Sequence, residues 1–187
     1  MNLIHKIFSS CDGDVAEFGV YGGESASRLY AVIVYYKKKL YLFDSFTGLP
    51  KLSKHDSPVV FYEHRFSDTS EAQVLRRLGT NGSNGQIVIY KGMFSDTIHL
   101  IKDKRFCFIN IDCDLYEGYK LILETLYDNL NVGGVFRLDD YREQHCDGAT
   151  RAVDEFAARY GLNVELEQKD YYIQKYEQYK LSERQTT

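Results

Sequence analysis

The sequence predicts an α/β protein: a mostly parallel sheet covered by helices on both faces, in a single domain. Three observations carry this. Short apolar runs alternate with segments of helical period, the connections between them are short, and several runs end in acids, at Asp44, Asp112 and Asp139-Asp140. Right-handed crossovers then place the C-terminal ends of the parallel strands on one rim, where open α/β sheets bind ligands.

Residues 2–10 read as a short helix or lead-in, closed by the turn Cys11-Asp12-Gly13-Asp14. The first strand, 15–20, runs into Tyr21-Gly22-Gly23-Glu24-Ser25, and residues 26–38 carry apolar side chains at helical spacing. The second strand, 40–43, ends in Asp44 and continues through Ser45-Phe46-Thr47-Gly48-Leu49-Pro50. Residues 51–65 show no period and read as a loop or lid. Asp68-Thr69-Ser70-Glu71 opens a helix with a capping residue and acids in its first turn, and Gly79 stops it. The cluster Asn81-Gly82-Ser83-Asn84-Gly85 turns the chain into a third strand, 86–90. A brief helix, 96–101, precedes the fourth strand, 106–112. Residues 117–130 are amphipathic, with Tyr119, Ile122, Leu123, Leu126, Tyr127 and Leu130 near one face. Asn131-Val132-Gly133-Gly134 reads as the turn into the fifth strand, and 149–160 as a helix stopped by Gly161. Two alternating segments, 163–168 and 170–174, pair as a hairpin through Lys169 and Asp170.

A chain of 187 residues with 44% hydrophobic and 27% charged content suits one soluble domain. Its core is expected over about residues 13–176, with 177–187 as a flexible tail. A net charge of −4 offers no long-range attraction for nucleic acid or anionic lipid, so neither is an expected partner. Lys37-Lys38-Lys39 reads as a solvated helix end suited to the negative dipole terminus. The cysteines Cys11, Cys107, Cys113 and Cys146 form no CxxC pair, which argues against zinc, and no disulfide framework is needed at this size. With no signal-peptide pattern and no apolar run of spanning length, a reduced cytoplasmic setting is expected. The 16 tyrosines and 11 phenylalanines are read first as core packing, with an acceptor pocket or a homo-oligomer contact as further uses.

Chemistry concentrates at the strand ends. The first strand closes in Glu17-Phe18-Gly19-Val20-Tyr21-Gly22-Gly23, where glycine admits close backbone approach and a helix start offers N–H groups to an anion. The bland alternative is a plain tight turn. The spacing is not GxGxxG, which weakens a nicotinamide reading. Asp44, one strand on, stands where an acid accepts hydrogen bonds from both hydroxyls of a ribose, so an adenosine-bearing cofactor is expected, with a turn cap as the alternative. Asp112, Asp114, Asp139 and Asp140 end two strands that, if neighbours, lie about 4.8 Å apart. Clustered carboxylates repel, and a hard cation such as Mg²⁺ resolves the conflict better than zinc. Solvated caps are the alternative, most of all for Asp114 beside the following helix.

Five ordered blocks together resemble the macrocin O-methyltransferase family: residues 15–26, Phe43-Asp44-Ser45-Phe46-Thr47-Gly48-Leu49-Pro50, Gly92-Met93-Phe94-Ser95-Asp96-Thr97, Ile111-Asp112-Cys113-Asp114-Leu115-Tyr116-Glu117, and Gly133-Gly134 leading to Asp139-Asp140-Tyr141. The similarity extends through residues 148–156. It implies a three-layer, Rossmann-like class I methyltransferase fold, here a mostly parallel seven-stranded sheet with an antiparallel C-terminal hairpin. It also implies dependence on S-adenosyl-L-methionine and Mg²⁺, and a small-molecule hydroxyl acceptor on a sugar or glycoside.

Carried over by position, the resemblance implies that Glu17, Gly19, Tyr21, Gly22, Gly23 and Ser25 hold the methionine part of the cofactor. Asp44 takes the ribose, and Phe46, Met93 and Phe94 lie near the adenine. Asp112, Asp139 and Asp140 bind the metal; Asp112 rather than Asp114 follows the arrangement in catechol-type O-methyltransferases. Asp114 and His145 are the candidate bases. The sequence starts close to its first strand, so the helical region that shapes the acceptor pocket in larger relatives is expected to be short. A non-catalytic cofactor-binding protein of the same fold and a phenolic acceptor are the rival readings.

Overall fold

The computed structural model describes residues 3–83 and 85–177. The expected tail, from residue 178 on, lies outside the described residues. Helix α1 (Leu3–Ser10) leads into β1 (Asp14–Phe18), α2 (Glu24–Tyr36) and β2 (Leu40–Asp44). After the long 45–70 connection come α3 (Glu71–Arg77), β3 (Ile87–Lys91), the single turn α4 (Phe94–Thr97) continued by a 3₁₀ turn, and β4 (Phe106–Ile111). Then follow α5 (Tyr116–Leu126), β5 (Leu130–Leu138), α6 (Asp147–Tyr160), β6 (Glu165–Glu167) and β7 (Asp170–Gln174).

The strands form one sheet in the order β3-β2-β1-β4-β5-β7-β6. Strands β1 to β5 are mutually parallel, while β7 runs antiparallel to both β5 and β6, as expected of the hairpin, although its turn is Gln168-Lys169 because Asp170 already pairs with Glu167. All six residues of β4 are buried, the pattern of a strand covered on both faces. Alternate β5 residues divide between two cores. Phe136 and Leu138 pack with α5 and α6, whereas Val135 packs with α1 and α2. No helix of the described residues is long and apolar enough to cross a membrane. All four cysteines are buried free thiols.

Three local expectations need correction. Asn131-Val132-Gly133-Gly134 is no turn: β5 already begins at Leu130, and these residues make a bulge, since Phe106 faces Leu130 but Phe108 faces Val135. A Cβ on Gly134 would stand 2.9 to 3.1 Å from the carbonyl oxygens of Asn131, Cys107 and Phe106, so the bulge requires its lack of a side chain. Second, the Lys37-Lys38-Lys39 cluster is not wholly solvated. Lys38 Nζ donates to the carbonyls of Cys11 and Gly13 at 2.9 Å, tying the end of α2 to the turn after α1. Third, the helix expected over 117–130 ends at Leu126 and closes in a 3₁₀ turn, because Leu130 is already paired in the sheet.

The 45–70 connection, with the aperiodic residues 51–65 at its centre, folds back along the rim as a lid that borders the cleft through Leu49, Asp56 and Phe66. It is pinched by the backbone bonds Leu49 N to Arg65 O and His64 N to Leu49 O, at 2.8 and 2.9 Å. Asp56 anchors its tip: Oδ2 accepts from the Ser53 amide and hydroxyl, and Oδ1 accepts the Tyr116 amide at 2.8 Å at the start of α5.

Candidate functional site

Strand β1 ends against β4. Gly19 has φ +87°, and a Cβ there would sit 1.6 Å from the Asp112 carbonyl oxygen, so only glycine lets the first strand end this close to the acid-bearing one. The turn that follows is held by Asp44. Its Oδ2 accepts the Val20 and Tyr21 amides, both at 2.8 Å, and its Oδ1 accepts the Phe46 amide at 2.7 Å. Oδ2 is thereby fully used, while Oδ1 keeps one acceptor site for a ligand. Gly22 is open, with nothing within 4 Å of where a Cβ would lie, and Gly23 caps α2 in a left-handed conformation. The lid reaches the same turn, where the Thr69 hydroxyl donates to the Tyr21 carbonyl at 2.6 Å and the Tyr21 ring meets Phe66 edge-on.

Beneath the turn, Glu17 is fully buried. Its Oε1 accepts from Asn110 Nδ2 at 2.9 Å, while Oε2 has no hydrogen-bond partner among the described residues. Burial raises its pKa to about 7, the nearby Ser25 hydroxyl and Asn110 amide pulling the other way. A buried, under-partnered carboxyl fits a ligand that brings an ammonium or another donor.

On the other side of Gly19 the acids converge. Asp112 follows β4, and Asp139 and Asp140 follow the neighbouring β5; ligand oxygens of all three lie within 4.8 Å of one another. Asp140 is buried and also braces the loop after β4: its Oδ2 accepts the Cys113 and Asp114 amides at 3.1 and 2.9 Å, and the Tyr119 hydroxyl lies 2.9 Å from it. Burial, then the charges of Asp139 and Asp140, push Asp112 far above the usual carboxylate range. Asp114 and Asp140 are raised too, both chiefly by burial. Three carboxylates so placed fit a hard divalent cation, which supplies oxygen ligands' missing counter-charge. A second grouping, Asp114, Asp140 and Cys146, shares Asp140 with the first.

These parts border one cleft of about 1000 Å³. Gly19, Tyr21, Gly22, Ser25, Asp44, Met93, Phe94, Asp112, Asp114 and Asp139 line it, whereas Glu17, Gly23, Phe46 and Asp140 are buried and do not line it. His145 is half-buried in the loop before α6, at φ 72°, and is not among the residues that line the cleft. Sequence reasoning missed Asp56, Asn110, Arg137 and Asp170, all cleft-lining. Asn110 and Arg137 did leave a signal, a polar residue inside the apolar run of each strand. Arg137 joins three of these parts, with contacts of 2.5 Å to Asp139 and 2.8 Å to both Asp170 and Asn110.

The sequence profile described as Macrocin-O-methyltransferase (TylF) matches residues 2–177. Among curated proteins, the chain is 29% identical over 185 residues to the mycinamicin III 3''-O-methyltransferase of Micromonospora griseorubida, covering 90% of this chain and 71% of that protein. It is 25% identical to the demethyldecarbamoylnovobiocin O-methyltransferase of Streptomyces niveus, covering 86% of this chain and 64% of that one. Two solved structures share the fold. The O-methyltransferase NovP gives a TM-score of 0.74 at 23% identity, covering 92% of this chain and 79% of its own. The calicheamicin methyltransferase CalS11 gives 0.78 at 21% identity, covering 91% and 75%.

Proposed function

The chain belongs to the macrocin O-methyltransferase family, and from that premise we propose that it methylates a hydroxyl on the sugar moiety of a small-molecule glycoside, using S-adenosyl-L-methionine and Mg²⁺. The observation that carries this reading is the meeting, in one cleft, of the Asp44-clasped glycine turn with the Asp112 and Asp139 carboxylates, backed by buried Asp140. The named activities of the mycinamicin and novobiocin relatives support the acceptor class.

S-Adenosylmethionine supplies a methyl group on a sulfonium, and the reaction is an in-line displacement in which the protein chiefly aligns the acceptor oxygen. Glu17, buried just beneath the cleft with its Oε2 unpartnered, would receive the methionine ammonium beside Ser25 and the open Gly22. Asp44 would turn the free acceptor site of Oδ1 to a ribose hydroxyl, and Phe46, Met93 and Phe94 would lie on the adenine side. Asp112, Asp139 and Asp140 would hold Mg²⁺, which would supply Lewis acidity toward the acceptor hydroxyl. Asp114 is the favoured base over His145, because it lines the cleft and its raised pKa suits proton removal near neutral pH. The lid, latched at Asp56, borders the cleft through Leu49, Pro50 and Phe66.

The test is turnover on a panel of deoxysugar glycosides beside catechol. EDTA is expected to abolish activity and Mg²⁺ to restore it. Asp139→Ala is expected to lower kcat/KM at least about 100-fold, the scale of losing a group that acts only in the transition state, while S-adenosylhomocysteine still binds. Full activity without metal sinks the metal assignment, and turnover of catechol alone reverses the acceptor assignment.

A further inference from the structure

Arg137 is an unusual neighbour for a cation site. It lies in β5 two residues before Asp139, which follows the end of the strand, and it places a guanidinium within 2.5 Å of a carboxylate proposed for Mg²⁺. The guanidinium does not depend on that carboxylate alone. Its Nε donates to Asp170 Oδ1 at 2.8 Å, and the nitrogen that meets Asp139 also donates to Asn110 Oδ1 at 2.8 Å. Asp170 opens β7, whose Tyr172 pairs with Arg137 across the sheet, so strand register fixes the second carboxylate. Releasing Asp139 therefore leaves Arg137 with two of its three bonds and with a full counter-charge. The three side chains are only partly exposed, at 25% for Arg137, 35% for Asp139 and 25% for Asp170, so the pairings are incompletely screened.

We propose that Arg137 is a built-in counter-ion, shared between Asp139 and Asp170 while no metal is bound and left on Asp170 alone when a divalent cation takes Asp139, so that the Arg137–Asp170 pair sets the metal affinity. This rests on the metal reading of Asp112, Asp139 and Asp140. Arg137 acts through Asp139 and is a positioning residue. Its role is opposite to that of an ordinary outer partner of a metal ligand, whose loss weakens metal binding on the order of 10–100-fold.

The experiment is titration of the full chain with Mn²⁺ alone, followed by electron paramagnetic resonance of the free ion. Arg137→Met removes the competing cation and is expected to tighten Mn²⁺ binding about tenfold, the low end of what partners of metal ligands contribute. Asp170→Asn removes the alternative carboxylate, leaves Arg137 on Asp139, and is expected to weaken binding by a similar factor. Arg137→Lys retains a competing charge and is expected to stay near the wild type. If Arg137→Met does not fold by thermal melting, Arg137→Gln makes the same test with a polar side chain. Weakened or unchanged Mn²⁺ binding in the neutral Arg137 variant, or unchanged binding in Asp170→Asn, overturns the proposal. Mn²⁺ binding that survives in Asp112→Asn overturns the metal reading itself, and the counter-ion role falls with it.

Discussion

Single residues in this cleft serve two masters. In the sequence Gly19 and Asp44 point to a ligand, and in the fold each first solves a problem of the protein's own. Gly19 makes room for the Asp112 carbonyl, and Asp44 ties down the turn that its strand faces. The glycine pattern was legible because a missing Cβ is visible in sequence, but its nearest partner lies some 90 residues away and is not. Buried carboxyls were legible by position, their electrostatics only after folding. Glu17, Asp112, Asp114 and Asp140 all have raised pKa values, burial being the first cause of each. A carboxyl whose pKa rises on folding binds protons more tightly in the native state. Its contribution to stability is complete below the unfolded value, about 4, and is lost as pH climbs through the folded value, which for Glu17 is about 7. In EDTA, the melting temperature of Asp112→Asn is therefore expected to gain on the wild type between pH 5 and pH 8, since the variant lacks one titrating acid. Melting curves that keep a constant offset across that range contradict the burial argument for Asp112.

At the scale of elements, alternation in sequence identified the strands and helices that build the sheet, and irregular segments escaped it. Residues 51–65 have no period because side-chain-to-backbone bonds and distant backbone pairs hold them rather than a repeating ladder. Asn131 to Gly134 looked like a turn because two glycines also serve a bulge within β5. Asp56 illustrates the first case. It is one acid in a polar run, yet it joins the lid to α5 through the Tyr116 amide. Asp56→Ala leaves that buried amide without its acceptor, at a cost of about 1–3 kcal/mol, most of it local to the lid. Trypsin is then expected to cut after Lys51 and Lys54 several-fold faster than in the wild type, with urea unfolding of the sheet little changed. An unchanged rate of lid cleavage removes Asp56 as the latch.

The whole molecule places the cleft through its topology. From β1 the chain runs outward through β2 to β3, then crosses back to β4 and outward through β5, so the loops after β1 and β4 part at the switch point of the sheet. The glycine turn and the acids stand there because β1 and β4 are neighbours, an adjacency that strand-helix alternation implies but does not prove. Binding at this point ties the two halves of the sheet together, and a ligand that binds only the native state must raise stability by mass action. At 100 times its Kd, S-adenosylhomocysteine is expected to add about 2.7 kcal/mol, or roughly 5–10 °C in Tm for a domain of this size. Glu17→Gln keeps the shape of the buried side chain and removes its charge. At pH 8, where Glu17 is mostly ionised on a pKa of about 7, the variant is expected to melt no lower than the wild type without ligand, because it no longer buries a charge. At the same ligand concentration its gain in Tm is expected to be smaller, because a neutral amide cannot pair with the methionine ammonium. An equal gain in both proteins would take Glu17 out of the cofactor site and leave it a buried acid of the fold.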